Sequence, residues 1–125
     1  MIIDLHCHST HSDGSLTVPE LIDRAHNNSV SVLALTDHDN IDGVDEAQQY
    51  IEQAHYDMTL VAGVELSCWW ENFEIHIVGL NVDIRSESLQ RLLQTQQNRR
   101  RERIDSIIQK LASRDINVEI DSEGI

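Results

Sequence analysis

The sequence predicts an α/β domain built on a parallel sheet. Short β-branched apolar runs alternate with stretches in which apolar residues recur every three or four positions, the pattern of βαβ units. Those runs are near-continuous in aliphatic residues, as in strands covered on both faces. The ends of successive runs also carry histidines and carboxylates, and in such sheets ligands gather at the carboxyl ends of strands.

The first run, Ile2 to Leu5, is too short for a helix and suits a buried strand. Side chains on a strand alternate, so His6 and His8 share one face and Cys7 points to the other. After the Ser12-Asp13-Gly14 turn, Thr17 is the expected N-cap of a helix, with Pro19 in its first turn and Glu20 completing a capping box. Leu21, Ile22 and Ala25 supply its buried stripe, and Asn27-Asn28 ends it. Val30 to Leu35 is the second strand and stops at Thr36-Asp37-His38-Asp39. A loop with Gly43 leads into a helix over Val44 to Ala54. Thr59 to Leu66 reads as a third strand with Glu65 at its far end, and Glu74 to Leu80 as a fourth with His76 inside it. A lone His-x-His is ordinarily just a polar strand end. Chemistry-bearing residues on four successive strands outweigh that reading.

From Ser86 the period changes. Leu89, Leu92, Leu93, Ile104, Ile107, Ile108 and Leu111 recur at helical spacing and predict one long amphipathic helix or two. Its middle holds Arg99, Arg100, Arg101 and Arg103, four of the nine basic residues. Such a run is either a solvated helix face or a local phosphate-binding patch. Ile116 to Ile125 is read as the start of another short strand.

At 125 residues the chain is one domain or part of one. With 40% hydrophobic but only 4% aromatic residues, its core must be aliphatic. A formal charge of −13 argues against general nucleic-acid binding and favours divalent cations. No apolar run is long enough to cross a membrane, no signal peptide is visible, and Cys7 and Cys68 make no disulfide framework, so a cytoplasmic location is expected. Imidazoles with carboxylates and no paired thiolates suit zinc, manganese or iron. A bridging carboxylate such as Glu65 suits a multi-metal site, the usual apparatus of phosphoester hydrolysis. Cys7 faces away from the histidines and is not the expected nucleophile.

Together His6-Cys7-His8, Ser12-Asp13-Gly14, Thr36-Asp37-His38-Asp39, Glu65 and His76 resemble the motifs of the PHP (polymerase and histidinol phosphatase) superfamily, from Ile2 to about Leu80. The resemblance implies the first half of a distorted (β/α)7 TIM-like barrel over residues 1–84, then the start of an Arg-rich helical insertion over 85–125. It implies a trinuclear site in which His6, His8 and Glu65 hold the first metal, Glu65 and His76 the second, and Asp13 and His38 the third. Glu65, His38 and Asp37 are then the catalytic candidates, with Asp37 and Asp39 orienting His38 or nearby water, and Arg99, Arg100, Arg101 and Arg103 the substrate candidates.

The inserted segment is similar to that of the bacterial subgroup acting on nucleoside 3′,5′-bisphosphates and RNA 5′ ends. The implied substrate is thus a small phosphorylated molecule, a nucleotide or a nucleic-acid 5′ end. Members of the family run well past residue 125 and draw further ligands from later strands, whereas no histidine follows His76 here. The expectation is an amino-terminal fragment holding about one metal, with an unfinished barrel edge open to self-association. Two alternatives are a non-catalytic metal-binding module of a larger assembly and a histidinol-phosphatase-like enzyme. A third, a C–N hydrolase on a similar barrel, lacks a lysine near the strand ends for a carbamate bridge, Lys110 being the only lysine.

Overall fold

A computed structural model describes residues 1–120 of the chain. Its elements run β1 (Ile2–Cys7), α1 (Val18–Asn27), β2 (Val30–Leu35), α2 (Asp42–Gln53), β3 (Thr59–Trp70), β4 (Phe73–Leu80) and α3 (Glu87–Ala112). The strands form one sheet in the order β1-β2-β3-β4. β1 pairs with β2 and β2 with β3 in parallel, each pair joined by a helix, as the sequence predicts.

The helices form where local signals place them. Thr17 accepts from the Glu20 amide while Glu20 accepts from the Thr17 amide, which closes the capping box at the start of α1. Val18, Ile22 and Ala25 of α1 pack with Leu33 and Leu35 of β2, Ala47 and Ile51 of α2, and Met58. Ile22 and Leu33 are each only 1% exposed, and burial of such a side chain stabilises by about 1.5–3 kcal/mol. Outside this core, the Tyr50 and Tyr56 hydroxyls donate to the Asp23 carboxylate at 2.8 and 2.7 Å and tie α1 to the end of α2. These bonds, Tyr56's first, hold Asp23 below its ordinary pKa. The tie is therefore present above the usual carboxylate range and fades as pH falls through the depressed value.

The fourth strand departs from expectation. β4 runs antiparallel to β3, not parallel. Only Glu71 and Asn72 separate the two strands, and a parallel return needs a crossover of a dozen or more residues. β3 also continues to Trp70 instead of ending at Leu66, so Glu65 sits mid-strand. Its Thr59–Ala62 stretch pairs with β2 and its Gly63–Trp70 stretch with β4. Gly63 stands where the partners change. A Cβ there would lie 2.7 Å from the Thr36 methyl and about 3 Å from the Leu35 and Gly79 carbonyl oxygens.

Coverage on both faces holds for β2 and the middle of β3 only. Ile2, Ile3 and Leu5 of β1 and Ile75, Ile77 and Leu80 of β4 are exposed, because these strands form the two edges and the α1–α2 core lies over the centre. α3 is one helix, capped by the Ser86 hydroxyl. Of its expected apolar stripe only Leu93 is buried. Residues 116–120 form no strand, and the remainder of the expected tail strand lies outside the described residues. No described helix is long and apolar enough to cross a membrane.

Candidate metal centre

Alternation at the end of β1 separates two chemistries. His6 and His8 face the sheet's carboxyl edge, while the Cys7 thiol donates to the Ala34 carbonyl at 3.1 Å. Burial, reinforced by the charges of Asp4 and Asp37, pushes that thiol up to about 12. It therefore stays protonated and weakly nucleophilic at neutral pH. We expect iodoacetamide at about pH 8 to leave Cys7 intact in the folded protein and to modify it once unfolded. Mass-spectrometric mapping checks this, and rapid labelling of native Cys7 would contradict it.

Beyond β1 the chain turns tightly. The Ser12 and Gly14 amides both donate to the Ser9 carbonyl, at 3.1 and 2.9 Å. A Cβ on Gly14 would collide with the backbone of His8 and Ser9, so glycine lets the turn fold back and bring Asp13 onto His8. The turn closes around Asp37, which accepts from the Ser9 amide and from the Ser9 and Ser12 hydroxyls, each at 2.7 Å. Past the end of β2, the Glu65 amide donates to the Asp37 carbonyl and the Asp39 amide to the Glu65 carbonyl, both at 3.0 Å. This bridge sets His38 directly beside Glu65. His76 reaches the same carboxylate from β4.

Glu65 is the hub. Its Oε2 lies 3.2 Å from His6 Nε2, 2.9 Å from His8 Nε2 and 3.5 Å from His38 Nδ1, and its Oε1 lies 3.4 Å from His76 Nδ1. Asp13 meets His8 Nδ1 at 2.9 Å and His38 Nε2 at 3.2 Å. Burial works to raise the Glu65 pKa, but the hydrogen bond from His6 and the charges of His38, His6 and His8 outweigh it and hold the carboxyl below its ordinary value.

The donor set fits metal ions. Three groups converge: His6, His8 and Glu65; His8, Asp13 and His38; and His38, Glu65 and His76. Each contains the ligands expected for one metal, and His8 and His38 are additionally shared. The His8 and His38 Nδ1 atoms are buried and make no hydrogen bond, although carboxylate oxygens lie 2.9 and 3.5 Å away. Lone pairs gathered at such distances without hydrogen-bonding angles suit a common cation. Ligands about 2.1 Å from a tetrahedral ion stand about 3.4 Å apart, close to the spacings seen around Glu65.

The remaining candidates divide. Asp37 touches the Ser9–Ser12 turn, with no hydrogen bond to His38. Asp39 accepts from Arg100 Nε at 2.7 Å and from the Ser67 amide at 3.2 Å, fastening α3 to the sheet. Arg100 and Arg101 line a cavity of about 430 Å³ with His38, His76, Asp13 and Ser67. Arg101 makes no ion pair among the described residues. Arg99 contacts Gln96 on its own helix, and Arg103 is exposed outside the cavity wall.

Ser67, Glu74, Gln96 and Gln97 were not singled out by sequence reasoning as part of the site, whereas His11 reads from sequence as either near the site or a plain loop residue, and it lines the cavity. Gln96 donates to the Ser67 carbonyl at 2.6 Å, Gln97 donates to the Asp39 carbonyl at 3.0 Å, and His11 pairs with Glu46 at 2.9 Å. Ser67 and Glu74 each lie two residues from a ligand, a signal readable only once the hairpin register is known.

An α/β sheet on which imidazoles and acids converge in three groups able to hold metal ions is the class of domain that the fold and site define. Residues 4–78 match the family model described as the PHP domain, and the chain belongs to that family. It is 49% identical over 108 residues to a 5′-3′ exoribonuclease of Haemophilus influenzae, covering 86% of this chain and 39% of that protein. It is 47% identical over 81 residues to a 3′,5′-nucleoside bisphosphate phosphatase of Chromobacterium violaceum, covering 65% of this chain and 28% of that protein. Among solved structures, one described as an amidohydrolase from Chromobacterium violaceum with bound sulfate and no metal superposes with a TM-score of 0.83 at 38% identity, over 94% of this chain and 41% of that one. The mixed sheet and its helices thus correspond to half of a TIM-like barrel of the PHP type. The chain spans about two fifths or less of the length of these relatives.

Proposed function

We propose that the protein carrying this chain is a metal-dependent phosphoesterase acting on nucleotides or nucleic-acid 5′ ends through up to three divalent ions of manganese, zinc or iron. One observation carries the proposal: the Glu65 carboxylate faces four imidazoles while two buried imidazole nitrogens lack hydrogen-bond partners. His6, His8 and Glu65 would hold one ion, Glu65 and His76 with His38 a second, and Asp13 and His38 with His8 a third. Bound there, such ions supply Lewis acidity toward a phosphoryl oxygen and hydroxide at neutral pH.

The protein's own groups do the rest. Glu65, ionised and shared, keeps the ligands together. Arg101 offers an uncompensated charge to phosphate at the cavity wall, while Arg100 is partly neutralised by Asp39. The relatives' names support a nucleotide or RNA substrate, and the basic stretch of α3 gives an otherwise acidic chain one place to meet it. We read residues 1–84 as the metal-bearing part and 85–125 as the Arg-rich segment that follows it in sequence. A cytoplasmic site of action suits the two free cysteines. The amidohydrolase description of one relative does not redirect this reading, since Lys110 sits in the last turn of α3 and does not line the cavity.

The test is release of inorganic phosphate from a nucleoside 3′,5′-bisphosphate and of inorganic phosphate or mononucleotide from a 5′-phosphorylated oligoribonucleotide. Turnover should vanish on chelation and return with Mn²⁺. Hydrolysis undiminished after chelation would overturn the proposal, and metal binding without hydrolysis of either ester would leave a non-catalytic module.

A further inference from the structure

We infer that Trp69 is the nucleobase-stacking residue of this site, so that its substrates are phosphate esters carrying a base and not bare sugar phosphates; the inference rests on the phosphoesterase reading above.

The hairpin register places the indole. In the β3–β4 pair, Glu65 stands opposite Val78, Ser67 opposite His76 and Trp69 opposite Glu74. Alternation puts Glu65, Ser67 and Trp69 in one row. The contact of Glu65 with His76 identifies that row as the site face. Trp70, opposite Phe73, belongs to the other face with Cys68 and Ile75.

The two tryptophans therefore differ in kind, although both are 64% exposed. Trp70 lies on an apolar face. Trp69 stands among polar groups, between Ser67 and Glu74, both of which line the cavity. Indole gains much from burial or stacking, and among the described residues this one keeps most of its surface open on a polar face. Along the row the chemistry changes in steps. Glu65 with its imidazoles comes first, then Ser67, whose hydroxyl accepts from Arg100 Nη2 at 2.9 Å, then the indole. Glu65 and Trp69 are four residues apart, about 13 Å along the strand. A nucleotide covers that span between its phosphate and the far edge of its base, once the imidazoles and the indole have taken their share. Metal ligands, guanidinium and aromatic face are the order in which a nucleotide presents phosphate and base. Stacking on an aromatic ring accepts any base and is worth about 1–3 kcal/mol per base.

The experiment compares adenosine 3′,5′-bisphosphate with ribose 5-phosphate on the protein and on Trp69→Ala, Trp69→Phe and Trp70→Ala variants. Trp69→Ala should lower kcat/KM for the nucleotide by about tenfold or more and change ribose 5-phosphate turnover less than twofold. Trp69→Phe should recover most of the loss, and Trp70→Ala should alter neither. A parallel titration of metal-free protein with the nucleotide reads indole fluorescence directly. Trp70→Phe, retaining Trp69 alone, should be quenched, and Trp69→Phe should not. Equal loss on both esters, no loss on either, or quenching that follows Trp70 would overturn the inference. Failure to hydrolyse either ester would refute the phosphoesterase reading instead, and the fluorescence arm would still decide the stacking.

Discussion

Replacing Glu65 with alanine should remove more than one equivalent of bound metal, whereas replacing His76 should remove at most about one. The difference follows from how the hub is divided. Glu65 Oε2 faces His6, His8 and His38 while Oε1 faces His76, so one carboxylate belongs to two of the three ligand groups. His76 belongs to one. Loss of the carboxylate also leaves imidazoles crowded about 3 Å apart, as His6 and His8 already are, without the negative charge that offsets a dication. Outer-shell changes typically cost 10–100-fold in affinity or activity. Removal of a shared ligand should exceed that, so phosphate release should fall by more than about a hundredfold. Glu65→Gln separates charge from shape: it keeps the side chain's size and one oxygen but should retain little more metal than the alanine variant. Elemental analysis after desalting measures all three, and equal losses from Glu65→Ala and His76→Ala would show that Glu65 does not bridge.

His6 and His8 could be put on one face from sequence because they flank the end of β1, where period-two alternation applies. Asp13 in its turn and Glu65 in mid-strand have no such local rule, and their assignment to particular metals rests on the family motifs. The first two βαβ units were legible for the same local reasons: the capping box at Thr17, the β-branched run to Leu35, the helical spacing behind Gly43. The hairpin was not. Whether β4 returns parallel or antiparallel depends on where β3 ends, and the polar Ser67 conceals that the strand runs on to Trp70. The change of partner at Gly63 is a property of three strands at once and leaves no periodic trace in one. Asp37 and Asp39 flank His38 symmetrically in sequence, yet one is consumed by the Ser9 turn and the other by Arg100. Such partners, 28 and 61 residues away, are invisible to local pattern. The long helix shows the converse error. Its apolar spacing suggested a core stripe, but it meets the site through Gln96, Gln97 and Arg100, and most of its leucines and isoleucines remain at least partly exposed.

Asp37→Ala should destabilise the fold and loosen the metal site together, which would mark Asp37 as a positioning residue. Asp37 is 2% exposed and Ser9 fully buried. The carboxylate accepts the Ser9 amide, the Ser9 hydroxyl and the Ser12 hydroxyl, all at 2.7 Å. Alanine orphans the buried Ser9 amide and hydroxyl, at about 1–3 kcal/mol each, and also releases the half-buried Ser12 hydroxyl at the cavity wall. The total should reach about 3 kcal/mol or more, a large part of a typical stability of about 5–15 kcal/mol. The same turn carries Asp13 onto His8 and His38, so its relaxation should also weaken metal binding there. Ser12→Ala removes one of the three donors and should reproduce a fraction of the loss, about 1 kcal/mol. Asp37→Asn divides the two roles. A group that only handled protons would tolerate the amide in stability and lose turnover alone. A group that binds donors would not, because the amide's own N–H groups oppose the Ser9 and Ser12 donors, and stability and metal affinity should fall with the rate. Urea unfolding monitored alongside metal titration reads both quantities, and an Asp37→Ala protein with an unchanged midpoint would sink the positioning role.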